Sequence, residues 1–398
     1  MKVVKQIMLF ALMAHIFISC KQKEEDIADV IDRGLSTATI HSLNMAKSLE
    51  KDSMLLPKTF ENGQLVTSDS RWWCSGFFPG VLWYLYENNP SDSLKDFAIQ
   101  YTNRVEREKY TTDNHDVGFM IYCSFGNGLR ILGTERYKDV IVQASKSLST
   151  RYKDHMKLIR SWDQRPKEWQ YPVIIDNMMN LEMLMWTAKH TGDKRFEEIA
   201  VNHADKTMKE HFREDYSCYH LVDYDTISGN PRLKRTVQGY SDSSAWSRGQ
   251  AWALYGYTMM YRETKDEKYL DFAEKIANYI INHPRLPEDK IPYWDFDTPD
   301  IPNTLRDASA GALIASALIE LSDLTKDKSL SKSSMEIAEK QIRTLTSPEY
   351  LAEPGTNGNF ILKHSVGSIP GDLEIDAPLT YADYYYVEAL MRYKKKLN

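Results

Sequence analysis

Asn177-Met178-Met179-Asn180-Leu181-Glu182-Met183-Leu184-Met185-Trp186-Thr187-Ala188 winds into a helix with almost no polar face. At 3.6 residues per turn its methionines, leucines and tryptophan point in every direction, so neighbouring elements must enclose it. The segment from Asp266 reads differently. Tyr269, Ala273, Ile276, Ala277 and Ile280 share one face, while Glu267, Lys268, Glu274 and Lys275 take the other. This is an outer helix, apolar toward a core and charged toward water.

The two kinds alternate along the whole chain. Outer helices are expected at 29–49, 93–105, 135–148, 194–210, 266–281 and 331–345, and each is followed by an inner one, at 75–87, 117–132, 176–189, 246–261, 306–324 and 380–394. Six enclosed helices ringed by six amphipathic ones satisfy both kinds of surface. The sequence therefore predicts an all-α fold, an (α/α)6 double-ring barrel or six-hairpin toroid. An open helical solenoid is the alternative, and the wealth of Trp, Tyr and Met in the inner helices favours closure. Long loops precede the inner helices, such as 283–304 with its five prolines, and should gather at one mouth. Tight turns at 191–193 and 264–266 should close the other end, leaving little room there for chemistry.

The N-terminus sets an address. Lys2 and Lys5 precede an apolar run from Ile7 to Ile18, too short to span a bilayer, that stops at Ser19-Cys20. This looks like a bacterial lipoprotein signal, residues 1–19, with Cys20 acylated after cleavage; an ordinary secretory peptide with an accidental cysteine is the alternative. Residues 20–33, opening with Lys21-Gln22-Lys23-Glu24-Glu25-Asp26, read as a solvated tether, and 34–398 as the barrel domain. The expected location is the outer membrane, at the cell surface or the periplasmic face, with lipid on Cys20 as the sole membrane contact. A net charge of -6 with Lys and Arg scattered along the chain offers no footprint for nucleic acid. Beyond Cys20 the cysteines are Cys74, Cys123 and Cys218, an odd number without metal-like spacing, expected to pack as small apolar residues, with one bridge in an oxidising compartment as the alternative.

Residues that the barrel would bring to its mouth are rich in rings and carboxylates. They include Trp72-Trp73, His115-Asp116, Asp176-Asn177, Gln238, Trp246, Arg248, Trp252 and the stretch from His364-Ser365 through Asp376. Aromatic faces with hydroxyl-reading polar groups suit sugars, whose apolar ring face stacks while the hydroxyls seek carboxylates and amides. Any single tryptophan is more often core than platform. Asp116 and Asp176 could equally be helix caps. Asp176, however, sits between Ile174-Ile175 and Met178-Met179, where desolvation would keep it protonated near neutrality, as a proton donor requires. Arg248 reads equally well as a buried partner for an acid. Neither a His-Glu-x-x-His, a Gly-rich phosphate loop, an EF-hand nor a G-x-S-x-G elbow is present, so carboxyl acid-base chemistry is what remains, with no cofactor or metal expected.

These segments resemble glycoside hydrolase family 88, the unsaturated glucuronyl hydrolases, from about Trp72 to Arg392. The carriers are Trp73-Cys74-Ser75-Gly76-Phe77-Phe78-Pro79-Gly80, His115-Asp116-Val117-Gly118-Phe119, Ile175-Asp176-Asn177-Met178-Met179-Asn180, Trp246-Ser247-Arg248-Gly249-Gln250-Ala251-Trp252 and Tyr381-Ala382-Asp383-Tyr384-Tyr385. The resemblance implies hydration of the 4,5 double bond of an unsaturated uronic acid at the non-reducing end of an oligosaccharide left by a polysaccharide lyase. Asp176 would protonate carbon 4 and then activate the water that adds at carbon 5, with Asp116 holding ring hydroxyls. It also implies a uronate subsite of His220, Gln238, Trp246, Arg248 and Trp252, with Trp73, His115 and Trp162 nearby. Ser365 and Ser368 would then face the leaving sugar or a sulfate, or belong to a plain loop. Val237 departs from the family, some of whose members carry His there, which leaves one sugar contact missing or replaced. An unsaturated rhamnogalacturonyl hydrolase, a non-catalytic sugar-binding lipoprotein and a sugar epimerase are the competing readings.

Overall fold

A computed structural model describes residues 25–52 and 54–397. The signal segment and Cys20 lie outside the described residues. The first helix, α1 (Ile27–Ser48), starts earlier than the expected tether allows. Asp26 caps it by accepting from the Ala28 amide at 3.0 Å, and Val30 and Ile31 are already buried. The reading of 20–33 as tether is corrected accordingly: its last seven residues are helix, because their apolar side chains have a core to enter.

The outer ring comprises α1, α3 (Asp92–Arg104), α6 (Glu135–Ser149), α8 (Lys194–Glu210), α10 (Glu267–Ile281) and α12 (Lys328–Leu345). Their starts are written in the sequence. Ser91, Asp193, Asp266 and Asp327 each accept a first-turn amide, offsetting orphan N–H groups. The inner ring comprises α2 (Phe77–Asn88), the rod 117–132, the rod 175–191, α9 (Ser247–Thr264), α11 (Ala308–Leu324) and α13 (Thr380–Leu397). Rod 117–132 is α4 (Val117–Ile121), a π turn (Tyr122–Gly126) and α5 (Asn127–Leu132). Rod 175–191 is a 3-10 segment (Ile175–Asn180) running into α7 (Leu181–Thr191). Each outer helix hands over to an inner one as the alternating pattern requires.

Going round the inner ring, α2 packs on rod 117–132, that rod on 175–191, then α9, α11, α13 and back to α2. The α13–α2 contact distinguishes a toroid from an open solenoid, and α1 lies across both helices at that seam. Three of the inner-to-outer turns are tight and left-handed, through Gly133, Gly192 and Lys265. The long connections at the mouth carry the seven strands of the described residues: the hairpin β1 (Leu56–Glu61) and β2 (Gln64–Ser68), the pair β3 (Tyr152–Lys153) and β4 (Leu158–Ile159), and an antiparallel sheet of β5 (Pro172–Ile174), β6 (Leu221–Tyr224) and β7 (Pro231–Arg235). All three cysteines beyond Cys20 are free, and burial pushes the Cys218 thiol up to about 12.

Candidate active site

Asp116 and Asp176 stand at the mouth ends of neighbouring inner rods. Neither acts as a cap: Asp116 precedes α4 and Asp176 lies in the first turn of its 3-10 segment, yet neither end has a side-chain cap bond. Two ties fix their relative position. Ser161 accepts the His115 amide on its carbonyl and the Ile174 amide on its Oγ, both at 2.9 Å, so one residue joins the chain before each acid. Asn180 Oδ1 accepts the Phe119 amide at 2.9 Å, pinning the rods directly. The close approach requires Gly118, where a Cβ would sit 2.5 Å from Asn180 Oδ1 and 2.7 Å from Asn180 Cα. Gly76 does the same for α2, since a Cβ there would meet the Phe119 carbonyl oxygen at 2.1 Å.

The surroundings make both carboxyls hard to ionise. Asp176 is 7% exposed and its Oδ2 has no hydrogen-bond partner. Burial raises its pKa from 3.8 to about 7, opposed first by the Arg248 charge and then by backbone and Trp252 N–H dipoles. His220 Nε2 stands 3.6 Å from that oxygen. Because His220 Nδ1 accepts the Val237 amide at 3.0 Å, the ring proton belongs on Nε2, facing the acid. Burial drives the His220 pKa down to about 3, so the ring is a neutral donor rather than a counter-ion. Asp116 is also raised, by burial and then by the Asp176 charge, with Arg151 opposing. His115 Nε2 is 3.3 Å from its Oδ1, and burial keeps His115 neutral too.

Rings close the site. Trp246 is buried with its indole 4.7 Å from the His220 ring. Trp252 is fully buried against Phe119 and Tyr385, its Nε1 unpartnered. Trp73 is half-buried at 4.9 Å from Tyr381. Trp162 bridges Asn114, whose Oδ1 accepts the Asp116 amide at 2.9 Å, which places that indole on the Asp116 flank.

Arg248 has the buried acid partner that its second reading expects. It is 1% exposed and sandwiched between Trp246 and Tyr381. Its Nη1 donates to Asp307 at 3.1 Å and to the Val366 carbonyl, and its Nη2 to the Gly367 carbonyl at 2.7 Å. It is thus a buried acid's partner that also holds the 364–377 loop, and it acts on Asp176 through its field. Gln238 Nε2 meets the same Gly367 carbonyl at 3.1 Å. On that loop Ser365 is buried with its Oγ unpartnered, while Ser368 Oγ accepts the Gly371 amide at 3.1 Å.

Several participants were read toward the mouth from the sequence but given no site role. Tyr381, 1% exposed with an unpartnered hydroxyl, completes the ring wall, and its place in the Tyr381-Ala382-Asp383 motif was the available signal. Glu374 stands 3.6 Å from Lys58, whose ammonium lies 4.2 Å over Trp72; no sequence spacing foretells a partner on the first hairpin. Asp295 accepts the Tyr240 amide and the Ser244 hydroxyl, shaping the loop between Gln238 and Trp246. Among the described residues no three His, Cys, Asp or Glu side chains form a metal-ion group.

Two raised carboxyls, neutral imidazoles and a wall of indoles at the mouth of a helical toroid suit a carbohydrate-active hydrolase, the carboxyls being placed for acid-base chemistry. The Glycosyl Hydrolase Family 88 model matches residues 46–396, and the chain belongs to that family. It is 48% identical, over 81% of its length and 80% of the relative's, to an unsaturated glucuronyl hydrolase of Formosa agariphila. An unsaturated chondroitin disaccharide hydrolase of Streptococcus pyogenes is 32% identical, with 94% and 93% covered. The crystal structure of an unsaturated glucuronyl hydrolase specific for heparin superposes with a TM-score of 0.89 at 45% identity, covering 93% of this chain and 98% of that one.

Proposed function

We propose that this protein removes the 4,5-unsaturated uronic acid from the non-reducing end of lyase-generated oligosaccharides, glycosaminoglycan disaccharides in particular. The observation that carries this is Asp176: a sheltered carboxyl, one oxygen unpartnered, that keeps its proton to about pH 7 beside a second raised carboxyl. Its proton goes to carbon 4 of the alkene. The carboxylate left behind takes a proton from water as the oxygen adds at carbon 5, so one water is consumed and the acid is regenerated. The carbon-5 hemiketal opens, and the neighbouring sugar leaves. One acid works in both directions, so the separation rule for paired carboxylates at an anomeric carbon does not govern this site. Asp116 holds the ring hydroxyls and places the water.

The test is a panel of lyase-made disaccharides from chondroitin, hyaluronan, heparin and rhamnogalacturonan, followed at the ultraviolet band of the double bond. Loss of the band with release of a monosaccharide from the glycosaminoglycan disaccharides is the expected result. Turnover of the rhamnogalacturonan product alone would move the assignment to pectin fragments. The Ser19-Cys20 junction further supports anchoring of the mature chain to the outer membrane by a lipid on Cys20. Radiolabelled palmitate should enter the wild-type protein but not Cys20→Ala, and label in both would refute the anchor.

A further inference from the structure

The end of the ring away from the mouth, expected to be sealed by tight turns, holds a cavity of about 560 Å³, a size suited to a small ligand. The π turn helps to shape it, bringing Tyr122 into its wall. Trp186 stands 6.5 Å from Tyr122, and the exposed His190 stacks on Trp186 at 4.1 Å to form a rim. Deeper in, Glu388 accepts the hydroxyls of Tyr84 at 2.8 Å and Tyr255 at 3.1 Å.

The charged groups in these walls are already engaged with one another, and Arg392 is shared by two carboxylates. Arg392 lies 2.9 Å from Glu320 and 3.7 Å from Glu388, Arg130 grips Glu87 at 2.7 and 2.8 Å, Lys138 lies 3.3 Å from Glu135, and Glu182 pairs with Arg262. An ionic ligand would have to break one of these pairs. Tyr385, 2% exposed, also lines the cavity, as does Tyr122. Ring faces and fixed acceptors, with each lining cation already paired, fit a polyhydroxylated, uncharged molecule.

We propose that this lower chamber is a second, non-catalytic site for a neutral mono- or disaccharide, stacked on Trp186. A single layer of rings separates it from the acid. Phe119 and Tyr385 line the chamber and pack at 5.2 and 5.4 Å against Trp252, the indole beside Asp176.

The test is calorimetric titration of the intact protein with N-acetylglucosamine, N-acetylgalactosamine, lactose and maltose, with glucuronate as the anionic control. At least one neutral sugar should bind saturably, about tenfold more weakly in Trp186→Ala, with the KM for unsaturated disaccharide unchanged. His190→Ala removes only an exposed rim ring, so it carries the same test with little risk to folding and should also weaken binding. The proposal is overturned if none of the four sugars binds, if both variants bind as the parent does, or if glucuronate binds equally well and is weakened equally by Trp186→Ala. It is equally overturned if the bound sugar competes with the unsaturated disaccharide.

Discussion

Asp176→Asn should abolish turnover and yet make the protein more stable at neutral and alkaline pH. In the unfolded chain the carboxyl ionises near 3.8; in the folded protein burial holds the proton to about pH 7. Between those values the folded state binds the extra proton, so its stability falls as pH rises from about 4 to about 7, and the deficit persists above. At about 1.36 kcal/mol for each pH decade, roughly three decades give about 4 kcal/mol. Asparagine has the same shape and titrates in neither state, so it removes this penalty. Urea unfolding of parent and variant, followed by tryptophan fluorescence at pH 4, 6 and 8, should show the variant's relative stability growing by about 4 kcal/mol across the series. Turnover, read at the ultraviolet band, should drop at least about 100-fold. A stability difference independent of pH would mean that Asp176 is ionised in the folded protein at neutrality, and the proton-donor assignment would be wrong.

The same protonation sets the activity profile: kcat/KM should fall as pH rises through about 7, and a plateau to pH 9 would contradict an acid with that pKa. Gly118→Ala puts a methyl 2.5 Å from Asn180 Oδ1, so the rods must separate; a stability loss of about 1–3 kcal/mol and at least a tenfold fall in kcat are expected, by urea unfolding and the disaccharide assay. Arg248→Met and Asp307→Asn each break a buried pair and should each cost about 3–5 kcal/mol of stability. Their effects on the pH profile should nevertheless be opposite. Losing the guanidinium moves the alkaline limb up, because its charge lowers the Asp176 pKa, whereas losing the Asp307 carboxylate leaves that charge uncompensated and moves the limb down.

The architecture was legible because helices enclosed on all sides have a periodicity of their own: the segment around Met183 had to be surrounded by other helices, which a closed ring provides. Boundaries slipped where tertiary contacts overrode local character, as at Ile27, where a charged leader passes into helix as soon as Val30 and Ile31 find a core. The acids were legible by neighbourhood, since Ile174-Ile175 and Met178-Met179 announce desolvation around Asp176. The partners of Arg248 were not, because Asp307 and the Val366 and Gly367 carbonyls arrive from distant segments. Nor was Ser161, which works through a backbone carbonyl and a single hydroxyl that leave no pattern along the chain. The lower chamber was hidden by the very turns that suggested a sealed end: short connections limit loops, but they do not fill the space between inner rods.

The site turns on how a buried cation is kept from fully ionising a buried acid. A carboxyl that donates to carbon must hold its proton at working pH, yet become a base once the proton has gone, so its pKa must sit near neutrality rather than far above it. Burial alone would push Asp176 higher still, and a guanidinium spent wholly on it would draw it back toward the ordinary carboxylate range. Here Arg248 is committed to Asp307 and to two backbone carbonyls, so only its field reaches Asp176, while His220 and Trp252 add neutral N–H dipoles in place of charge. The arrangement lowers the acid part of the way and stops. Because Val366 and Gly367 are among the groups that occupy Arg248, the loop carrying Ser365 and Ser368 is mechanically tied to the same cation. Substitutions that shift that loop should therefore alter the pH profile as well as the substrate preference.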